Sequence, residues 1–277
     1  MKNPPLYILQ QGYLGDLIFI QKLLKLMGEK TQVVLPVLQQ FTWTTNAIQY
    51  PKNVYVCDVF NDEYMHKDEF VYLSGVLTNT CKTYMALGQD KKCAAVLFTP
   101  KFVYAPLALS YNVDKQNQLT EKYNMLSIDY KGWQNDVVIK HNTEKENFLY
   151  QNVLGLHEDE KYILVNKFFG SSADEKFLIY KNGICTDLER LKSDIKIIEM
   201  CAISEFSLFD WSKVIINASQ IYTVETSLCY LMELLKIKSE KNVLFTRQKD
   251  KEYGFGLVNK IFEIPWEYKH ELKSKEI

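Results

Sequence analysis

Two short polar clusters in the chain have the residue types that group transfer needs. The first is Gly12-Tyr13-Leu14-Gly15-Asp16, where a carboxylate follows two glycines; the second is Glu225-Thr226-Ser227, where two hydroxyls follow a carboxylate. A carboxylate fixed at a turn can take the proton of an attacking hydroxyl. Hydroxyls and free N–H groups at the start of a helix can receive phosphate oxygens. Each cluster also has a purely structural reading, because Asp, Thr and Ser are all good helix N-caps. For Asp16 the cap and the base are both open, and for Thr226 and Ser227 the cap and the phosphate contact are both open. Tyr13, between the two glycines, either lines a pocket or packs as an ordinary aromatic.

The elements around these clusters decide how they are presented. Leu6 to Gln10 reads as a short strand, and from Asp16 onward Leu17, Ile20, Leu24 and Met27 recur at spacings of three and four, which predicts a helix ending at Gly28. TQVVLPV and NVYVCDVF are β-branched and apolar, so strand, helix and strand alternate as in a βαβ unit. SGVLTNTCKTYMALG predicts a helix, KKCAAVLFTP a further apolar piece stopped by Pro100, Lys101 to Tyr130 helix and loop, and TEKENFLYQNVLGL another helix.

KYILVNK opens a second unit with a buried strand of the parallel-sheet kind. The turn-rich FFGSSADEKF follows it, placing Lys167, Ser171 and Ser172 just after the strand. IKIIEM predicts a strand and FDWSKVIINAS a helix. IYTVETSLCYLMELLKIKSEKNVLFTR contains strand, turn, helix and strand, with Leu228, Leu231, Met232 and Leu235 on one helical face. Parallel crossovers are right-handed, so Glu225, Thr226 and Ser227 fall at the carboxyl edge of their sheet, where α/β folds bind ligands.

Composition narrows the classes. With 277 residues and 47% hydrophobic content the chain can fill one large core or two small ones. Its 33 basic and 34 acidic side chains give a net charge of −1, which supplies no global pull toward nucleic acid or anionic membrane. The six cysteines form no C-x-x-C pair and no cluster with the four histidines, so they read as thiols in a reducing, cytoplasmic setting. His66, His141, His157 and His270 have no partner pattern, and Arg247 reads equally as a surface ion-pair former.

The layout resembles the GT-B glycosyltransferases. GYLGDLIFIQKLLKLMG is similar to the glycine-turn, Gly-Asp, amphipathic-helix opening of heptosyltransferase-like enzymes of glycosyltransferase family 9. YILVNKFFGSS resembles the strand and phosphate-facing loop that open their donor domain, and INASQIYTVETSLCYLMELL resembles the later strand, polar turn and helix that meet the nucleotide-sugar. The chain departs from the pattern in its short length and in carrying Glu225, Thr226 and Ser227 where a glycine is more usual.

The resemblance implies an α/β chain of two Rossmann-like domains facing across a cleft. Residues 1–142 would form an acceptor-side domain with Gly12, Tyr13 and Gly15 beside the acceptor; residues 143–265 would form the donor domain; residues 266–277 would be a C-terminal tail or helix packing back toward the first domain. It implies metal-independent, inverting transfer of a sugar from a nucleotide-sugar to an acceptor hydroxyl, with no cofactor. Asp16 would be the general base, and Lys167, Ser171, Ser172, Glu225, Thr226 and Ser227 would bind the donor. The acceptor stays open among a glycan, a lipid-linked glycan, a small molecule and a modified nucleic-acid base. Alternatives are a nucleotide-sugar epimerase or hydrolase on the same scaffold, and a non-catalytic nucleotide- or glycan-binding protein.

Overall fold

The computed structural model describes residues 5–9, 14–37, 39–58, 97–98, 103–106, 118–124, 126–169, 180–181, 183–246 and 261–269. Gly12, Tyr13, Ser171, Ser172, Arg247, His66, His270 and the expected helix SGVLTNTCKTYMALG lie outside these residues. The chain divides into two compact units, Met1–Lys140 and His141–Ile277.

The first unit is built on five strands, β1 (Leu6–Leu9), β2 (Val33–Val37), β3 (Val54–Asp58), β4 (Leu97–Phe98) and β5 (Val103–Pro106), in the order β3-β2-β1-β5-β4. All neighbours are parallel except β4 and β5. β5 falls in the stretch expected to be helix and loop. It is only four residues long, and pairing with β1 rather than any local period defines it. β2 is buried at every position despite its proline. The Val33 N–H donates to Asn53 O, so the position occupied by Pro36 looks the other way, toward β1, and β1 pairs with β2 only as far as Val34. The missing N–H therefore breaks no ladder bond.

The expected first helix is present and starts two residues earlier than read, at Leu14. It runs as Leu14–Phe19 and Gln21–Gly28, joined through Ile20. Asp16 therefore lies inside the first turn and is not the N-cap. Gly28 ends the helix, but not through a left-handed conformation: a Cβ there would come within 3.3 Å of Val54 Cγ2 on β3, so the glycine permits close helix–strand approach.

The second unit contains β6 (Tyr162–Asn166), a two-stranded antiparallel ribbon of β7 (Tyr180–Lys181) and β8 (Ile184–Cys185), then β9 (Lys196–Glu199), β10 (Gln220–Val224), β11 (Lys241–Phe245) and β12 (Glu267–Lys269). The main sheet is parallel throughout, in the order β12-β11-β10-β6-β9. Its core includes Ile163, Val165, Val224, Val243 and Phe245, with Cys185 and Leu188 packed beside them. The stretch TEKENFLYQNVLGL is helical from Thr143, and its last turn, Leu149–Val153, widens to π geometry. The Tyr162 hydroxyl donates to Val214 O at 2.6 Å, fixing the Ser212–Asn217 helix to β6. Among the described residues, no helix is long and apolar enough to cross a membrane.

At the start of the segment expected to be a C-terminal tail or helix, Glu267–Lys269 form β12, the edge strand of the second sheet, and residues 270–277 lie outside the described residues. A polar group on the Ser227–Leu235 helix holds the approach to that strand. Glu233 is 3% exposed, and its two carboxylate oxygens accept the Glu263 N–H at 2.8 Å and the Ile264 N–H at 3.1 Å. The helical period marks Glu233 as neither core nor face, but the returning chain buries it. Burial raises its carboxyl pKa, and the two backbone donors partly oppose the rise.

Glu233→Ala is expected to lower stability by about 2 kcal/mol, the loss of hydrogen bonds to a charged acceptor, and to speed amide hydrogen exchange in β12. The raised pKa means the folded chain holds this proton more tightly than the unfolded one. The stability it contributes is complete below the ordinary value of 4.5 and is lost as pH rises through the higher folded value. Glu233→Gln should remove that slope, which paired denaturant titrations at about pH 4 and about pH 7 would detect.

Candidate functional site

In each unit the strand order reverses beside the first strand. In the first sheet the chain adds β2 and β3 on one side of β1 and β5 on the other; in the second it adds β9 on one side of β6 and β10 on the other. Adjacent parallel strands whose connections leave in opposite directions open a crevice at their carboxyl ends. Both polar clusters follow a strand that flanks such a crevice.

In the first unit, Gly15 and Asp16 lie in the helix after β1, and Gly15 is buried. The next described segment after β5 is the Gln118–Asn124 helix, which carries Lys122. The Lys122 ammonium donates to the Asp16 carboxylate in an ion pair whose side chains are 8% and 22% exposed. Asp16 thus faces a cation, and the pair links the segments following the two strands of the crevice. Lys122 gave no signal in the sequence, since QLTEKYN has one lysine among several polar residues.

Aromatic packing fixes the lysine's helix. Tyr123 is fully buried; its hydroxyl donates to Phe19 O, and its ring meets Phe19 edge-on at 5.1 Å. Burial drives its phenol pKa well above the ordinary value, so it stays a neutral donor. Phe19 also meets Trp133 edge-on at 5.3 Å. Helix and lysine are therefore held against the same turn that carries Asp16.

In the second unit, Asn166 ends β6 and Lys167 follows it, while Glu225, Thr226 and Ser227 follow β10. Thr226 is the N-cap of the Ser227–Leu235 helix, in extended conformation, with its hydroxyl oxygen accepting from Leu228 N–H at 3.4 Å. Asn166 is 8% exposed, and its Nδ2 donates at 3.0 Å both to Thr223 Oγ1 and to Thr226 Oγ1. Thr223 has no signal in the sequence, and Asn166 stands out there only, with Lys167, as a departure from the family pattern after Val165. The visible signal was a polar residue closing a five-residue buried strand, which in KYILVNK is Asn166 itself.

Lys167 belongs to the same edge but turns to Glu199 at the end of β9. Their ion pair measures 2.8 Å, and the ammonium also stands 5.6 Å from the Phe168 ring centroid. The lysine is thus a paired cation rather than a solvated one. Glu225 donates its backbone N–H to Phe245 O at 3.2 Å. Its charge is felt by Tyr268 on β12, whose phenol is pushed up to about 12 by burial first and then by Cys229 and Glu225. Of the residues expected to bind a donor, Thr226 and Ser227 stand together at the helix start, Glu225 lies on the β12 side of them, and Lys167 reaches toward β9. Among the described residues, no group of three His, Cys, Asp or Glu side chains is placed to hold a metal ion.

These features define an α/β chain with two largely parallel sheets. Its structure is similar to the crystal structure of the glycosyl transferase family 9 from Veillonella parvula DSM 2008, with a TM-score of 0.52 and 11% sequence identity over 100% of this chain and 89% of that one. At that identity the likeness speaks to the fold alone. No protein-family model and no curated protein sequence matches the chain.

Removing Lys122 takes the opposite charge away from a half-buried carboxylate, so Lys122→Met alone should destabilise the protein by about 2 kcal/mol. Combined with Asp16→Asn it should cost distinctly less than the sum of the single changes, a coupling of about 1 kcal/mol or more. Denaturant unfolding of the four chains in the double-mutant cycle checks this.

Proposed function

We propose that the protein is a glycosyltransferase of GT-B type that moves a sugar from a nucleotide-sugar to an acceptor hydroxyl, with inversion and without a metal. The observation that carries this reading is the likeness of the whole chain to a glycosyl transferase structure. It is supported by polar clusters that follow the switch-point strands of both sheets.

In this reading the nucleoside diphosphate binds at the carboxyl edge of β6 and β10. Thr226 and Ser227 offer hydroxyls and the free N–H groups of the helix start, where the dipole favours an anion. Lys167 adds a cation, and Ser171 and Ser172 add hydroxyl donors. Glu225 faces ribose hydroxyls rather than phosphate, because a carboxylate accepts hydrogen bonds and repels anions. Gly12, Tyr13 and Gly15 border the acceptor.

The acceptor oxygen then bonds to the anomeric carbon as the bond from that carbon to the diphosphate oxygen breaks. The nucleoside diphosphate leaves with the bonding pair, and its growing charge is met by the donors that bind it. The hydroxyl proton passes to the Asp16 carboxylate. Lys122 holds that carboxylate in place through its ion pair.

The same ion pair favours a second reading, in which Asp16 serves structure alone and the protein binds a nucleotide or glycan without turnover. Asp16→Asn separates the two. The amide keeps an oxygen for Lys122 but has no useful basicity, so folding and nucleotide binding should stay near native while transfer falls at least about a hundredfold. Full transfer by a well-folded variant would give Asp16 a structural role only.

The donor side has its own test. UDP, ADP or GDP should raise the melting temperature by mass action, and calorimetric titration should show weaker binding in Lys167→Ala and in Glu225→Ala. Unchanged affinity in both variants would remove these residues from the site.

A further inference from the structure

The amino ends of β2 and β3 border a cavity of about 510 Å³. It lies at the opposite end of the first sheet from the edge that carries Asp16, and the five residues of β3 separate it from that edge by about 15 Å. One wall is the turn from Glu29 to Gln32, and the other runs from Lys52 to Tyr55. Backbone bonds set both walls. Lys30 N–H donates to Met27 O at 2.9 Å, Val54 N–H to Pro51 O at 2.9 Å, and Val33 N–H to Asn53 O at 2.8 Å. Asn53 Nδ2 also donates to Gly28 O at 2.8 Å, which joins the end of the first helix to the second wall.

The two lysines that line the cavity are not spent on the fold. In the same unit Lys22, Lys25, Lys122 and Lys140 each reach a partner, respectively Lys131 O, Asp136, Asp16 and Thr45 O. Lys30 and Lys52 have neither an ion pair nor a side-chain hydrogen bond among the described residues. Tyr55 stands in the same lining and is 46% exposed.

We infer that this cavity binds an acidic carbohydrate, a sugar that carries a carboxylate or a phosphate beside its hydroxyls. Its volume is that of a small-molecule site, but sites for apolar ligands are lined mainly by apolar side chains. Here Val54 and the Tyr55 ring supply the apolar surface and the rest of the lining is polar. Two ammonium groups only donate and call for an anionic oxygen. The Glu29 carboxylate only accepts, which suits hydroxyls and opposes a second anion, while the Gln32 amide serves either. The Tyr55 ring offers a flat apolar face to the C–H side of a pyranose. A nucleic acid fits less well, because its row of phosphates would meet Glu29 and a chain whose net charge is −1. The inference goes beyond glycosyl transfer and does not depend on it, since binding is read without turnover.

The full chain is applied to an array of oligosaccharides bearing carboxylate or phosphate groups, with neutral oligosaccharides and oligothymidylate alongside. Any ligand retained is titrated calorimetrically into wild type, Lys30→Gln/Lys52→Gln and Tyr55→Leu, with thermal unfolding as the check on folding. The expected result is retention of an acidic oligosaccharide, with affinity at least about tenfold lower in the normally melting double-lysine variant and also lower in Tyr55→Leu. Whether the retained chain carries carboxylate or phosphate then identifies the anion. Retention of no acidic oligosaccharide, equal affinity in the double-lysine variant, or neutral chains bound as tightly overturns the inference. Lysine-dependent binding of oligothymidylate in preference to every acidic sugar also overturns it, in favour of nucleic acid. Should the double variant melt below wild type, Lys30→Gln and Lys52→Gln singly carry the same test: weaker binding in either supports the site, and unchanged affinity in both refutes it.

Discussion

In a parallel sheet, a chain that leaves the carboxyl end of one strand must cross back along the sheet before it can add the next. Strand carboxyl ends then share one edge, and the connections that begin there lie side by side. This governs β1, β2, β3 and β5 in the first unit and the whole main sheet of the second. Asp16 and Lys122 are 106 positions apart in sequence, yet they follow β1 and β5, which are paired. Asn166 and Thr226 are separated by 60 positions and follow or end β6 and β10, also paired. Without the parallel pairings neither contact would form.

The same pairing makes the strands expensive places for polar groups. β2 and β6 are buried at all five positions, so their interiors admit only side chains that need no partner. Polar chemistry is pushed to the strand ends, where Asn166 can be nine-tenths buried and still bond two hydroxyls. Such a group is costly if left unmatched and directional once matched. Glu233 obeys the same rule on a helix: burial raises its pKa, and two backbone donors from the segment before β12 compensate.

The two polar edges differ in kind. At β1 and β5 an opposite charge pair is held by packed aromatics, with Phe19, Tyr123 and Trp133 meeting edge-on. At β6 and β10 the close contacts are neutral hydrogen bonds, and the charges of Lys167 and Glu199 stand one strand away. A fixed carboxylate suits proton transfer, and an array of neutral donors at a helix start suits an anion.

Much of the scaffold was legible in the sequence because buried parallel strands and amphipathic helices carry their own periods. VVLPV, YILVN and QIYTV are recognisable from apolar character alone, as is the helix whose buried face holds Leu228, Leu231 and Met232. β5 and β12 were not legible, since strands of four and three residues have no measurable period and exist by pairing with β1 and β11. For the site, the sequence by itself determined which residues follow the strands, including Asp16 after β1 and the run Glu225-Thr226-Ser227 after β10. Only the tertiary structure decided their partners: Lys122 for Asp16, Asn166 for Thr226 and Glu199 for Lys167. The reason is physical. Periodicity is a local property of the chain, whereas a charge pair or a hydrogen-bond direction depends on which strands lie side by side, and strand order is set by packing over the whole unit.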